Sequence, residues 1–190
     1  MSRQRIKPST VAVVLAAAGF AATTLTAAAL ALPHTDFAAA TGLAPVFERR
    51  ADALAQSAAT DETARARAIL ETRRSLAQAP ANPTAWLRLA YLDSVSPGGL
   101  SGAGDRALAA SYAVAPYGPD VTDWRLAFAF NHWSVLSDES RKAALDEFVV
   151  TSAFKSHRDL EARVSDPSGR LALALTLDTI AREKAPQPQA

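Results

Sequence analysis

Apolar and polar positions divide the chain into two regimes. From Val11 to Leu32 no residue is charged, and the run stops at Pro33. Beyond it, Ala, Leu, Arg and Glu alternate at helical spacing, and runs of alternating β-branched residues are nearly missing, which favours helix over strand. The pattern predicts helices near 44–58, 61–79, 83–95, 104–115, 121–136, 138–155, 157–164 and 167–184. Several boundaries carry their own chemistry. Asn82-Pro83 and Asp166-Pro167 each read as an N-cap followed by proline at the first helical position. Ser96-Pro97-Gly98-Gly99 stops one helix, and Pro116, Gly118 and Pro119 stop another. The expected fold is all-α. An N-terminal transmembrane or signal helix precedes antiparallel helical hairpins in one domain over residues 44–184, after a linker at 33–43. The closing Ala185-Pro-Gln-Pro-Gln-Ala190, too polar and proline-rich to pack, is expected to be a disordered tail.

Within this array one junction is specific. The spacing Ala68-x3-Thr72-x2-Ser75-x4-Pro80-x5-Trp86-x2-Leu89-Ala90, carried by the text SLAQAPANPTAWLRLA, gives small residues where two helices must approach closely. Pro80 ends a helix there, and Trp86 fills the space between neighbouring pairs. A looser copy follows, in which Ala107 to Pro119 repeats the spacing of Ala68 to Pro80, Ala129 matches Ala90, and Arg125 and Phe128 stand for Trp86 and Leu89. Over residues 61–150 the chain resembles a tetratricopeptide-like helical repeat protein. The loop from Ser96 to Asp105 is longer than that family's tight turn, and Ala129 to Ala144 is also stretched. The resemblance implies protein–protein recognition through a groove lined by the first helix of each pair, and it does not imply catalysis.

The apolar run decides where this domain works. Arg3, Arg5 and Lys7 precede its 22 residues, which as a helix reach roughly 33 Å, enough for a bilayer core of about 30 Å. Residues 1–10 then form a cytoplasmic basic flank, and residues 11–32 a single membrane span with the C-terminal domain in the periplasm. The same text also fits a cleavable signal peptide, with small-x-small sites at Ala27-Ala28-Ala29 and Ala29-Leu30-Ala31. Ten of the 22 residues are Ala and only eight are Val, Leu or Phe, so hydropathy leaves both readings open. A soluble periplasmic product would follow cleavage near Ala29 or Ala31. Either way the domain is exported.

Composition then narrows the chemistry. The chain has no Cys, which removes disulfides, thiolate metal sites, Cys nucleophiles and a lipid-modified cysteine. Without the three N-terminal cations the remainder holds 17 basic and 19 acidic residues and no basic block, so nucleic acid is not an expected partner. The three histidines are His34, in the linker beside the apolar run and read as solvated, His132 and His157, the last sharing a predicted helix face with Glu161. His157 and Glu161 lack further ligands, and no His-Glu-x-x-His or Gly-x-Ser-x-Gly element occurs. Gly98, Gly99, Gly102 and Gly104 lack the Gly-Lys-Ser/Thr ending of a phosphate loop and read as an inter-helix connection. No enzyme activity, cofactor or metal is expected.

The richest constellation is Trp124 to Trp133. With Arg125 at the place of Trp86, Phe130 and Trp133 are expected to face the groove beside Asn131 and His132, and Leu87 and Tyr91 to line the matching face of the earlier helix. Aromatic and Arg side chains bury much area at low entropy cost, which suits partner binding. The same aromatics, Trp124, Phe128 and Trp133 above all, also read as core filling between hairpins. The text loosely resembles small anchored proteins of bacterial polysaccharide synthesis or export. That implies a membrane-tethered envelope scaffold whose partner is an envelope or inner-membrane protein. An accessory subunit of a pilus or cytochrome-maturation assembly, or a periplasmic ligand binder using Asn131 and His132, are the alternatives.

Overall fold

The computed structural model describes residues 19–25, 27–28, 31, 42–157 and 159–184. Eight α-helices and one 3₁₀ turn make up the body from residue 44 onward: α1 (Ala44–Ala55), α2 (Glu62–Gln78), α3 (Pro83–Ser94), α4 (Gly102–Val114), α5 (Thr122–Asn131), the turn Trp133–Val135, α6 (Asp138–Thr151), α7 (Leu160–Arg163) and α8 (Pro167–Lys184). No strand occurs among the described residues, so the fold is all-α. α1 packs on α2, α3 on α4 and α5 on α6 as successive hairpins, α3 lies against α2, and α8 closes the array against α5 and α6.

Short polar side chains start most of these helices. Asp61 accepts from Ala64 N–H at 3.0 Å, and Asn82 accepts from Thr84 and Ala85 N–H with Pro83 at the first turn. Ser101, Ser137 and Asp166 do the same for α4, α6 and α8. Each bond satisfies donors that a helix start leaves without an intrahelical partner. The expected helix over 121–136 breaks at Asn131, where a 3₁₀ turn lets the chain reverse into α6. The expected 138–155 stops at Thr151, and 157–164 shrinks to the single turn of α7.

Burial recurs with two periods. Ala51, Ala90 and Ala129, each 39 residues from the next, are fully buried in α1, α3 and α5. Ala68, Gly104 and Ser140, each 36 apart, are buried in α2, α4 and α6, as are Leu76, Tyr112 and Phe148 further along. The match for Ala68 to Pro80 is therefore Gly104 to Pro116 rather than Ala107 to Pro119. The two helix ends agree: Ala79 N–H donates to Ser75 O, and Ala115 N–H to Ser111 O, with similar cap dihedrals, φ −131° and ψ 71° at Ala79 and φ −153° and ψ 81° at Ala115. Gly104 is needed because a Cβ there would sit 2.4 Å from Leu100 and 2.5 Å from the Asp93 carboxylate. The loop between α4 and α5, residues 115–121, is three residues longer than that between α2 and α3, residues 79–82.

Trp86 and Arg125, 39 residues apart, do one job with different chemistry. The Trp86 indole donates to Pro80 O at 2.8 Å, and Arg125 Nη2 to Pro116 O at 2.9 Å. Each side chain fastens the end of the preceding helix.

Among the described residues, no helix is long and apolar enough to cross a membrane. Most of the apolar run 11–32 and of the linker 33–43, and all of the tail 185–190, lie outside the described residues.

Candidate partner-binding groove

The first helices of the three hairpins line one face. Two hollows of about 290 and 540 Å³ lie along it, the first between α1, α3 and the start of α5, the second between α3 and α5. Tyr91 and Trp124 line both, so the hollows join across this pair. Trp124 is 41% exposed, large for a residue with so much apolar surface to hide.

An aromatic ladder runs away from that point. Tyr91 meets Trp124 edge-on at 6.2 Å between centroids, Trp124 stacks on Phe128 at 4.9 Å, and Phe128 lies 4.3 Å from the His132 ring. Residues 124, 128 and 132 are four apart, so one helix face carries all three. His132 Nδ1 is 2.9 Å from Phe128 O; a carbonyl only accepts, so this nitrogen carries the proton.

Charge differs between the two ends. Asp52 and Asp120 edge the first hollow, and Arg163 and His132 the second. Arg88 lies under the first hollow, almost wholly buried. Its Nε donates to Asp52 at 3.0 Å and its Nη2 to Glu48 at 2.7 Å, while Ser75 Oγ donates to the other Glu48 oxygen at 2.8 Å. Burial pushes the Glu48 carboxyl up, but the bonds and charge of Arg88, with the Ser75 bond, outweigh it and hold the group below its ordinary value. This cluster ties α1, α2 and α3 into one wall. Arg88 Nη1, buried beneath it, has no hydrogen-bond partner among the described residues.

The residues expected on the groove divide. Leu87 and Tyr91 line it, and Asn131 and His132 line the second hollow. Asn131 is nevertheless committed: its amide donates to Ala127 O and Arg163 O, each at 2.8 Å, and its oxygen accepts from Ser165 N–H at 2.7 Å. It fastens α5 to the segment before α8.

Arg125, Phe130 and Trp133 are not on the groove, which corrects the expectation for them. Arg125 is fully buried against the equally buried Glu147. Its Nε donates to Glu147 Oε2 at 3.1 Å, Nη1 to Ser111 O and Ala115 O, and Nη2 to Glu147 Oε1 and Pro116 O. Its cation covers the Tyr112 ring at 4.1 Å. Burial, then the Glu147 charge, drives the Tyr112 hydroxyl well above its ordinary value. Phe130 sits in the core with Phe148, Leu160 and Leu173, and Trp133 stacks on it at 5.2 Å, covered by Arg141. Phe130 lies six residues from Trp124, off its stripe on α5, and Trp133 lies beyond the end of that helix, in the 3₁₀ turn.

Trp124 is the groove residue that sequence reasoning assigned more readily to the core. The usable signal was its spacing to Phe128 and His132. Among the described residues no three His, Asp or Glu side chains are placed to hold a metal ion. His157 lies outside α7, so it shares no helix face with Glu161. Its Nε2 is 2.8 Å from Thr151 Oγ1, and its Nδ1 3.8 Å from Asp123.

The His157 contacts set a pH dependence. Burial, with Lys155 adding to it and Asp123 and Glu147 opposing, holds the imidazole below its ordinary 6.5. The unfolded chain then binds more protons than the folded one just below pH 6.5, so acidification costs stability there. The urea midpoint is expected to fall between pH 6.5 and 5, before carboxylates dominate, and to fall less in His157→Gln. An equal slope in both proteins would exclude the assignment.

The chain matches no protein-family model, and comparison with curated proteins and with solved structures finds no significant match.

Proposed function

We propose that this protein is a scaffold or adaptor of the bacterial envelope that binds a partner protein along the α1–α3–α5 face. The observation that carries the reading is the joined hollow whose middle is the edge-packed pair of half-buried Tyr91 and exposed Trp124. A soluble domain gains nothing in stability from leaving a tryptophan half open, whereas a partner side chain covering it removes apolar area from water at about 25 cal/mol per Å². The hairpin array and its recurring buried small residues support the tetratricopeptide-like reading. In this account residues 11–32 hold the domain at the inner membrane, with the partner an envelope or inner-membrane protein, as in polysaccharide synthesis or export. A tether of this kind raises the local concentration of what the groove binds.

The test is co-purification from membranes with the wild-type chain and with Tyr91→Ala/Trp124→Ala. Trp124 is exposed and Tyr91 is half-buried against the core, so helical content should be kept while the melting temperature falls modestly, and Trp124→Ala alone serves as the milder variant. Partner recovery is expected to drop about tenfold or more, as for paired aromatic hot spots. Undiminished recovery would sink the proposal.

A further inference from the structure

The opposite side of the array carries a second surface. A trough of about 640 Å³, larger than either groove hollow, opens between α2 and α4, with Trp86 and Leu89 of α3 as its floor. Its walls are helix stripes: Ile69, Arg73 and Leu76 on α2, and Ala103, Ala107 and Ala110 on α4, each at i, i+4, i+7. The alanines leave room for another backbone to approach closely. Trp86 already spends its N–H on Pro80 O, so the floor offers only apolar surface.

Two cations flank this floor. Arg73 on the α2 wall and Arg106 on the α4 wall both line the trough and are exposed, and neither has an ion pair or side-chain hydrogen bond among the described residues. Asp93 lines one end of the trough, where its carboxylate accepts from Ser101 N–H and Ser101 Oγ and forms no ion pair with either arginine. The surface is thus an apolar channel with an exposed arginine on each bank and a net positive charge.

We propose that this trough docks an amphipathic helix of a partner protein, with an apolar stripe facing Trp86 and Leu89 and carboxylates along both flanks to meet Arg73 and Arg106. A helix fits better than an extended segment. The walls and floor are helical, their backbone groups are already paired, and an extended chain would bury its own N–H and C=O groups unmatched. A helix brings its backbone bonds with it. The two cations select acidic flanks. The outer face of α8 exposes Leu171 and Leu175, but it carries both Asp178 and Arg182, paired with each other, so α8 of a second copy lacks the matching charge.

The experiment uses the full-length chain in lipid nanodiscs and two labelled synthetic helices. One has Leu at i, i+3, i+4 and i+7 with Glu on both flanks; its twin has Lys at every Glu position. Fluorescence anisotropy should show the Glu helix binding about tenfold tighter than the Lys helix, with the gap closing in high salt. Arg73→Glu/Arg106→Glu should reverse the order, and Tyr91→Ala/Trp124→Ala should leave it unchanged. The proposal is overturned if the Glu helix does not bind, if charge reversal leaves the order intact, or if the groove variant abolishes binding. It is also overturned if the chain sediments as a dimer that Arg73→Glu/Arg106→Glu splits, since the trough is then a self-interface.

Discussion

Arg125→Ala is expected to lose about 3–5 kcal/mol of folding stability, because it strands the fully buried Glu147 carboxylate without its cation. Against a typical domain stability of about 5–15 kcal/mol, that brings the variant close to unfolding at ambient temperature. The loss goes beyond one ion pair. The guanidinium also holds carbonyls at the end of α4 and in the loop after it, those of Ser111, Ala115 and Pro116, so these bonds vanish together. Arg125→Lys should fail almost as badly, since an ammonium has three donors and no planar fork. Arg125→Leu/Glu147→Leu should recover much of the loss, because removing both charges removes the uncompensated one. Arg88→Ala offers a contrast. Its partners Asp52 and Glu48 keep side chains 59% and 20% exposed, against 0% for Glu147, and can hydrate in part, so its loss should be smaller. Urea midpoints at constant slope measure all four, and equal losses for Arg88→Ala and Arg125→Ala would refute the argument from burial.

The second large effect belongs to Gly169. A Cβ there would lie 1.8 Å from the Phe130 carbonyl oxygen and 2.7 Å from its carbon, both backbone atoms that cannot turn aside. Gly169→Ala must therefore lift α8 off α5. The cost is at least the roughly 1–3 kcal/mol of ordinary overpacking, plus the packing of Leu173 and Ile180 against Phe130 and Phe148. Amide exchange over 167–184 should accelerate strongly while α1 to α4 keep their protection. Ala174→Gly, at an exposed position of the same helix, should cost only about 1 kcal/mol and leave α8 docked. Unchanged exchange in Gly169→Ala would contradict the close crossing.

Much of the architecture was legible in the sequence because helix ends are local chemistry. Asn82-Pro83 and Asp166-Pro167 start α3 and α8 where the text says they must. The spacing of Ala68, Pro80, Trp86 and Ala90 also belongs to one continuous stretch. The second junction was misaligned because the loop between α4 and α5 is three residues longer than that between α2 and α3, and only the matching caps at Ala79 and Ala115 reveal the register. The groove was half legible. Leu87 and Tyr91 follow from the first junction, whereas Arg125, Phe130 and Trp133 were displaced by long-range partners, Glu147 and the core around Phe148. An arginine in an aromatic stretch reads as surface, and nothing near it in sequence announces a buried carboxylate 22 residues away. Arg73 and Arg106 carry no sequence signal, since their meaning arises only when α2 and α4 face each other across α3.

The central claim is that the α1–α3–α5 face is where a partner sits. A photo-crosslinking amino acid placed in living cells at Trp124, at Tyr91 and, as a control, at exposed Val135 tests this most directly. The account predicts one discrete adduct of the same partner from positions 124 and 91, and none from 135. Identical adducts from all three positions, or none from 124 and 91, would contradict it.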